Sequence, residues 1–303
     1  MRIGLRAPRP AERTRYSAGV ARLNEVAFVK GHGTGNDFVV IPDVDGHLDL
    51  TPDQVRWLCD RHMGVGGNGV LRVVRTEHVP QMAEFAAVAE FFMDYRNADG
   101  SLAEMCGNGA RVFVRYLDAT GLVTDNEVVI ATRGGLCSTT INSDRSITID
   151  MGRATTPTSS ATPKVVVGDR SWAAVGVLVP NPHAVVFVDD LDEAGDLRAA
   201  PDVTPGDVFP EGVNVEFVVD RGPNHVAMRV HERGVGETLS CGTGACAVAW
   251  AARRRDDSGA TGESTTRVDV PGGTVTVTET AEGRLLLTGP ADLVARGTLL
   301  LPE

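Results

Sequence analysis

The sequence predicts an α/β protein of two similar domains, and three observations carry this prediction. Short apolar runs separated by turn residues indicate many strands, with only a few helical segments among them. A Cys-Gly-x-Gly turn leading into a helix occurs once in each half of the chain, at Cys106 and at Cys241. At 303 residues, the chain is near the length at which a single core divides into two domains.

The first half predicts strands, a short helix and then a longer helix. EVAFVKGHGTGNDFVVIPDV is typical of strand, glycine-rich turn and strand. TPDQVRWLCDRHMG predicts a helix capped by Thr51, with Pro52 at its first position and Gly64 at its end. Two further strands flank EHVPQMAEFAAVAE, which fits a loop or a short helix. MCGNGARVFVRYLDATG predicts a helix ending near Gly121, and three short strands follow it.

The second half repeats this organisation after TTPTSSATP, residues 155–163, whose composition is typical of a boundary. Strands are predicted for KVVVGD, WAAVGVLVP, HAVVFVDD, DVFPEGVNVEFVVD and HVAMRVHERG. LSCGTGACAVAWAARRRDD predicts a helix that is apolar on all sides near its start and therefore buried. The last strands are VDVPGGTVTVTET, RLLLTGP and ADLVARGTLLLPE.

Similar spacings relate the two halves. GNDFVV precedes the first motif by 70 residues, from Asn36 to Cys106, and NPHAVV precedes the second by 60, from Asn181 to Cys241. Matching segments in matching order predict a gene duplication and a pseudo-two-fold axis. We expect a first domain of residues 26–150 plus 290–303, and a second domain of residues 151–289.

Composition restricts the class of partner. The net charge of −11 argues against a nucleic-acid or anionic-membrane partner, although a helix end can still bind an anionic small molecule. The sequence contains no run of 18 or more apolar residues, so it does not predict a membrane-spanning helix. Residues 1–25 are rich in arginine and lack the apolar core of a secretory signal. They predict a disordered extension or an upstream start codon, with a transit peptide as the alternative.

The five cysteines indicate a reducing compartment. Their number is odd and no secretory signal precedes them, so a cytoplasmic location is favoured over a disulfide framework. No CxxC or HExxH spacing supports a metal site. Cys59, Cys137 and Cys246 lack neighbouring glycines and are interpreted as buried apolar residues.

The Cys-Gly-x-Gly turns predict acid–base chemistry. The first N–H groups of a helix lack internal partners and carry partial positive charge, and glycines let a carboxylate approach them. The same positive end lowers the pKa of a cysteine placed there. Two such motifs facing each other would place Cys106 and Cys241 on opposite faces of one α-carbon. One thiolate could then remove a proton while the other thiol returned one.

The motifs GNDF, NADGS, CGNGAR, NPH, FPEGVN, ERGVGET and SCGTG, in this order, resemble the diaminopimelate epimerase family, and HERGVGETLSCGTG is similar to its actinobacterial branch. The resemblance runs from about Val26 to the C-terminus. It implies two domains, each a curved, mostly antiparallel sheet around a central helix, with the last strand returning to the first domain. It also implies a homodimer that interconverts L,L- and meso-2,6-diaminopimelate without pyridoxal phosphate or another cofactor, in lysine and peptidoglycan-precursor biosynthesis.

The resemblance also implies roles for particular residues. Cys106 and Cys241 would be the acid–base pair, and His183 and Glu232 would adjust their pKa values. The reacting α-carboxylate would lie against the backbone of Gly107, Asn108, Gly242 and Thr243. The ammonium groups and the distal carboxylate would be held by Asn36, Asn97, Asn181, Asn214, Glu232 and Arg233.

Each of these residues also has a plainer interpretation. The asparagines in glycine-rich turns suit left-handed backbone, His183 could be a core histidine, and Glu232 with Arg233 could be a surface pair. One departure from the family is visible in GVGGNGVL. Asn68 stands where an aspartate is common and Gly69 where some members bind substrate with a glutamine, so neither residue is assigned a binding role.

Other functions fit parts of this pattern. A cysteine-pair racemase of proline or hydroxyproline would share the chemistry, but the distal polar set argues against a substrate without a second end. A thiol redox protein would also use two close thiols, although no CxxC motif supports it. A catalytically inactive binding protein is disfavoured by the intact cysteines.

Overall fold

The computed structural model describes residues 24–256 and 262–302. The predicted N-terminal extension, residues 1–25, lies outside this part of the chain except for its last two residues. Those two residues belong to the first strand, which begins at Asn24.

The described residues form three α-helices and nineteen strands. The helices are α1 (Pro52–Cys59), α2 (Gly107–Thr120) and α3 (Gly242–Asp256). The strands of the first half are β1 (Asn24–Gly33), β2 (Asn36–Pro42), β3 (Gly69–Arg75), β4 (Phe91–Asn97), β5 (Glu127–Thr132), β6 (Gly135–Ile141) and β7 (Ile147–Arg153). Those of the second half are β8 (Lys164–Val167), β9 (Arg170–Ala173), β10 (Val175–Val179), β11 (Asn181–Phe187), β12 (Asp202–Thr204), β13 (Asn214–Gly222), β14 (His225–Glu232), β15 (Gly236–Thr238), β16 (Ser264–Val270), β17 (Gly273–Glu279), β18 (Arg284–Gly289) and β19 (Asp292–Leu301).

The strand order confirms two pseudo-symmetric halves. One 16-stranded sheet runs β10-β11-β13-β14-β16-β17-β18 and continues as β7-β6-β5-β4-β3-β2-β1-β19, with β15 beside β14. Both halves repeat the same pairing: β2 with β3 and β4 with β5 are parallel, as are β11 with β13 and β14 with β16. The other pairs are antiparallel, so the mostly antiparallel sheet that the family resemblance implies is present in both halves.

Each half of the sheet surrounds one helix. Helix α2 contacts β1, β2, β3, β4 and β7, while α3 contacts the corresponding strands β10, β11, β13, β14 and β18. A sheet can touch one helix with so many strands only by curving around it. Both helices belong to one continuous apolar core, and in α3 the side chains from Ala245 to Ala249 are buried, as its apolar composition predicts.

The halves are joined through their sheets. The last strand of each seven-strand pattern pairs with the other, β7 with β18, in antiparallel register. Strand β19 returns to the first half and pairs with β1, from Asn24 opposite Leu301 to His32 opposite Asp292. This return is the one that the family resemblance implies.

Three local predictions need correction or completion. Helix α1 begins with the predicted cap, in which Thr51 and Gln54 exchange hydrogen bonds, but it ends at Cys59 rather than near Gly64, because Asp60 is extended. The ambiguous segment before β4 contains two short 3₁₀ helices, Thr76–His78 and Pro80–Phe85. The run WAAVGVLVP is divided between β9, in a separate three-stranded sheet, and β10.

Candidate active site

The N-termini of α2 and α3 meet at the centre of the molecule. Cys106 caps α2 with extended backbone, and its Sγ accepts a hydrogen bond from the Gly109 N–H at 3.5 Å. Cys241 stands in the same position before α3, and its Sγ accepts from the Gly244 N–H at 3.3 Å. The structure therefore brings both predicted cysteines to helix N-termini with the same local geometry.

Two glycines make this approach possible. A Cβ at Gly242 would lie 3.6 Å from the Cα of Gly107, across the junction between the helices. A Cβ at Gly107 would also lie 3.2 Å from Cδ2 of Leu287, and a Cβ at Gly242 would lie 3.0 Å from the same atom. The absence of side chains at both positions leaves the helix ends in contact, as expected for a shared carboxylate cradle.

The two thiols differ in exposure and in charge environment. Cys106 is half-buried, whereas Cys241 is buried. Burial raises the pKa of both thiols above the ordinary value, and Glu232 raises each further. At Cys241, Glu216 adds to this increase, whereas at Cys106 the guanidinium of Arg111 acts in the opposite direction.

The expected lowering of the cysteine pKa values by the helix ends is therefore wrong in its net direction. The N–H groups of Gly109 and Gly244 do lower the pKa of Cys106 and Cys241, as predicted. Desolvation of the thiolate outweighs them because both sulfurs lie in a largely apolar core.

The predicted binding residues of the first half surround the entrance to α2. Asn36 begins β2, and its Oδ1 accepts a hydrogen bond from Asn68 at 3.0 Å. Asn97 ends β4, accepts from the hydroxyl of Tyr95 at 2.8 Å and donates to Ser101.

Asn108 lies inside α2 and is buried. It donates to the Ser240 carbonyl across the junction at 2.9 Å, while its Oδ1 has no hydrogen-bond partner within residues 24–256 and 262–302. Asn108 therefore connects the two helix entrances directly.

The predicted residues of the second half occupy the corresponding strand ends. Asn181 begins β11, as Asn36 begins β2, and Glu232 ends β14, as Asn97 ends β4. The side chain of Asn214 donates to the Pro182 carbonyl at 3.2 Å and accepts from the Arg233 N–H at 2.9 Å.

The remaining predicted side chains of this half differ in burial. Burial raises the pKa of Glu232, which accepts a hydrogen bond from Thr238. Arg233 is exposed, and its guanidinium donates to the Glu211 carbonyl at 2.7 Å. This contact differs from the surface pair with the neighbouring Glu232 that was its plainer interpretation. The hydroxyl oxygen of Thr243 lies 3.4 Å from the Cys241 sulfur.

The structure explains the unusual turn at residues 68 and 69. Asn68 is held by Arg61 and orients Asn36, so it supports a predicted binding residue. A Cβ at Gly69 would lie 2.6 Å from the Arg96 carbonyl oxygen and 2.7 Å from the ring of Tyr95. A glutamine therefore cannot replace Gly69 without a shift of β3 or β4.

Sequence reasoning missed two buried charged residues at the site. Glu216, on β13, pairs with His183 at 2.7 Å, and both side chains are fully buried. Arg111, on α2, is also fully buried, and burial lowers its pKa to about 10. A charged residue among apolar neighbours in a strand or helix was the available signal in both cases, at NVEFVV and GARVFV.

Arg111 is part of a polar chain that links the two halves. Its guanidinium donates to the Pro290 carbonyl at 3.2 Å and to the Thr34 hydroxyl at 3.1 Å. Thr34 donates in turn to the hydroxyl of Ser240, the residue before Cys241, at 2.6 Å. Thr34 holds a left-handed conformation, φ 49°, which is unusual for a β-branched residue and indicates a constrained turn.

Within residues 24–256 and 262–302, no cluster of three or more His, Cys, Asp or Glu side chains could hold a metal ion. Over the same residues, no helix is long and apolar enough to cross a membrane.

Comparison with known proteins identifies the family. The sequence profile of diaminopimelate epimerase matches residues 28–157 and 175–294. The chain belongs to the diaminopimelate epimerase family. Among its relatives, the diaminopimelate epimerase of Streptomyces coelicolor is 58% identical over 275 residues, covering 90% of this chain and 94% of that protein. The diaminopimelate epimerase of Mycolicibacterium smegmatis is 45% identical over 290 residues, covering 90% of this chain and 96% of that protein.

Solved structures of low identity share the fold of this family member. A phenazine biosynthesis protein of the PhzF family from Bacillus anthracis has a TM-score of 0.64 at 18% identity, covering 91% of this chain and 99% of that chain. A hydroxyproline epimerase from Agrobacterium vitis, with bound trans-4-hydroxy-L-proline, has a TM-score of 0.62 at 14% identity. The match covers 94% of this chain and 95% of that chain. At such identities the likeness concerns the fold alone.

Proposed function

We propose that this protein interconverts L,L- and meso-2,6-diaminopimelate, with Cys106 and Cys241 as its acid–base pair. The observation that carries the proposal is the meeting of two cysteine-capped helix N-termini at Gly107 and Gly242. The names of the 58% and 45% identical relatives supply the substrate. We place the reaction in lysine and peptidoglycan-precursor biosynthesis, as the family resemblance implies.

The reaction transfers one proton to the enzyme and one from it. The thiolate of one cysteine takes the α-proton, and the electron pair of the broken C–H bond moves onto the α-carboxylate. The thiol of the other cysteine then gives its proton to the opposite face, so the two sulfurs exchange protonation states. No cofactor takes part in this balance.

The helix ends and the burial of the thiols serve different parts of this reaction. Backbone N–H groups at residues 107, 108, 242 and 243 would stabilise the charge that develops on the carboxylate. Burial raises the pKa of both thiols. A thiolate of higher pKa is scarcer but more basic, which favours removal of a very weakly acidic α-proton.

The polar groups around the junction suit a substrate with a second amino-acid end. We assign them to the ammonium groups and the distal carboxylate, and Arg233 offers the planar fork that matches a carboxylate. A proline-type substrate would leave these groups without partners. The assigned residues are Asn36, Asn97, Asn181, Asn214, Glu232 and Arg233.

We further infer a cytoplasmic homodimer of two-domain subunits. All five cysteines are free thiols, which fits a reducing compartment. Strand β19 ends the sheet order and carries exposed apolar side chains at Val294 and Leu300, which supports pairing with a second copy. The pairing of β19 with β1 and its contact with α2 support a division into residues 26–150 plus 290–303 and residues 151–289.

Solvent exchange tests the proposal directly. Reduced protein incubated with L,L-diaminopimelate in deuterated water should place deuterium at one α-carbon and yield the meso form. Proline and hydroxyproline serve as comparison substrates and should incorporate none. Absence of deuterium in diaminopimelate would refute the proposed function, and exchange in proline alone would replace it by a proline-type racemase.

A further inference from the structure

A buried His–Glu pair lies behind the second cysteine. His183 Nδ1 is 2.7 Å from Glu216 Oε1, and both side chains have no exposed surface. The other oxygen of Glu216, Oε2, has no hydrogen-bond partner among the described residues. His183 is therefore the group that compensates the buried carboxylate, since an uncompensated one would be costly.

The internal symmetry of the fold shows that this pair is not required by the backbone. In the parallel pairing of β2 with β3, Phe38 is opposite Gly69 and Val40 is opposite Leu71. In the parallel pairing of β11 with β13, His183 is opposite Asn214 and Val185 is opposite Glu216.

The positions of His183 and Glu216 therefore correspond to those of Phe38 and Leu71, which are buried and apolar. The glycine three residues after each cysteine confirms this match. A Cβ at Gly109 would touch Leu71 and Phe38, whereas a Cβ at Gly244 would meet Glu216. The same site in the first half thus folds around two apolar side chains.

The hydrogen bonds of His183 show what the pair does. Its second ring nitrogen, Nε2, lies 3.1 Å from Oδ1 of Asn181. Both ring nitrogens lie within hydrogen-bond distance of an oxygen, and donation to both oxygens requires a positively charged ring, which Glu216 would balance. The bond to His183 occupies the oxygen of the Asn181 amide and leaves its NH₂ group to donate elsewhere.

We propose that Glu216 is a positioning residue that acts through His183 to hold Asn181 with its NH₂ group towards a substrate carboxylate. This inference rests on the proposed function for the identity of the substrate. A neutral residue at position 216 would leave His183 with one ring proton, bonded to residue 216. The bare Nε2 would then attract the Asn181 NH₂ group, and the amide would turn its oxygen towards the substrate carboxylate.

Other charged groups near the pair limit how it can be tested. Glu232 and the Cys241 thiol also lie close enough for Glu216 to affect their charges, so a change at Glu216 could act on the chemistry instead of on Asn181. Separate measurement of KM and kcat distinguishes the two effects. A positioning role predicts a change in substrate binding, whereas an effect on the thiol predicts a change in turnover.

The test compares three variants. Glu216→Gln keeps the shape and removes the charge, and the double variant His183→Phe with Glu216→Leu copies the apolar pair of the first half. Asp269→Asn is the matched control, because His225 and Asp269 form another His–carboxylate pair at 2.7 Å on β14 and β16. Epimerisation is followed in both directions at saturating and limiting substrate.

We expect KM to rise about tenfold or more in Glu216→Gln and in the double variant, and to rise by a larger factor than any fall in kcat. Asp269→Asn should leave both constants within about twofold. An unchanged KM, or a fall in kcat alone, would overturn the positioning role.

A measurement on the unchanged protein gives an independent readout. In the absence of substrate, NMR of protein labelled with ¹⁵N in its histidines should show protons on both ring nitrogens of His183. A single ring proton would overturn the proposal even if a variant failed to fold. Because this spectrum requires no turnover, its outcome is separate from that of the deuterium-exchange experiment.

Discussion

Behind Cys106 the site is apolar, whereas behind Cys241 it is charged. Both cysteines precede a helix, and both accept a hydrogen bond from the glycine three residues on. Leu71 and Phe38 fill the space behind the first of these glycines, and the Glu216–His183 pair fills it behind the second. A duplicated backbone has therefore kept the geometry of the thiols and changed their surroundings.

A second difference is a buried positive charge in the first half. Arg111 follows Cys106 by five residues, and Cys246 follows Cys241 by the same number. The first helix thus carries a buried cation where the second carries a neutral thiol. Together, the two differences place a buried cation near Cys106 and a buried His–Glu pair near Cys241, which suits a substrate whose two ends must be bound differently. Four predictions test this comparison.

Removal of either cysteine should have the largest effect. Cys106→Ser and Cys241→Ser should each lower the rate of epimerisation by about 10³-fold or more, because inversion needs a base on one face and an acid on the other. Cys137→Ala is the control, since Cys137 is buried on β6 away from the helix ends, and it should change the rate little. Near-full turnover in either serine variant would show that the two half-sites are not both required.

Alanine at the two glycines should separate the half-sites. A Cβ at Gly244 would lie 2.7 Å from Glu216 Oε1 and 3.3 Å from the Cys241 sulfur, so Gly244→Ala should lower kcat/KM about 100-fold. A Cβ at Gly109 would lie 3.3 Å from Leu71 and 3.5 Å from Phe38 and from the Cys106 Cβ, which is milder crowding, and Gly109→Ala should stay within about tenfold. Equal losses in steady-state kinetics would show that the Glu216 contact has no special importance.

Alkylation should distinguish the two thiols in the unmodified protein. Because Cys106 is half-buried and the pKa of Cys241 is raised further, iodoacetamide should modify Cys106 about tenfold faster or more. The pKa of each thiol is raised by burial, so both rates should still increase as the pH rises above 9. Peptide mass spectrometry measures both sites at once, and faster reaction at Cys241 would contradict the assigned asymmetry.

Replacement of Arg111 should give the smallest effect. Burial is the main cause of the raised pKa of Cys106, and Arg111 counteracts it in part. Arg111→Met should therefore slow alkylation of Cys106 about threefold and leave Cys241 unchanged, while Arg111→Lys keeps the charge and most of the rate. Equal slowing at both thiols would indicate a general change of structure.

The parts of the fold that local chemistry determines were predictable from the sequence. The cap of α1 at Thr51 and the end of α2 at Gly121, with φ 71°, follow from residues next to each other in the chain. The end of α1 was not predictable in this way, because Asp60 is extended although a helical pattern continues to Gly64. The run WAAVGVLVP was predicted as one strand because an apolar pattern does not specify which neighbour each residue pairs with.

The site was predictable where it repeats and not where its halves differ. The cysteines and their glycines occur twice, so the repeat itself indicated their importance. Glu216 lies 33 residues from His183, and only the parallel pairing of β11 with β13 brings them together. The net direction of the cysteine pKa shifts depends on burial, which the helix-end argument could not supply.

The return of β19 to β1 has a consequence for the order of folding during synthesis. Strand β1 forms its outer pairing with residues 292–301, which are synthesised after all the other described strands. Contacts between such distant parts of a chain form late, because closing a long loop costs entropy before any contact is gained. In the second half, by contrast, the strands from β10 to β17 pair only with strands of that half. The half that is synthesised first is therefore the half that is completed last, and β1 stays unpaired on its outer side until β19 has been synthesised.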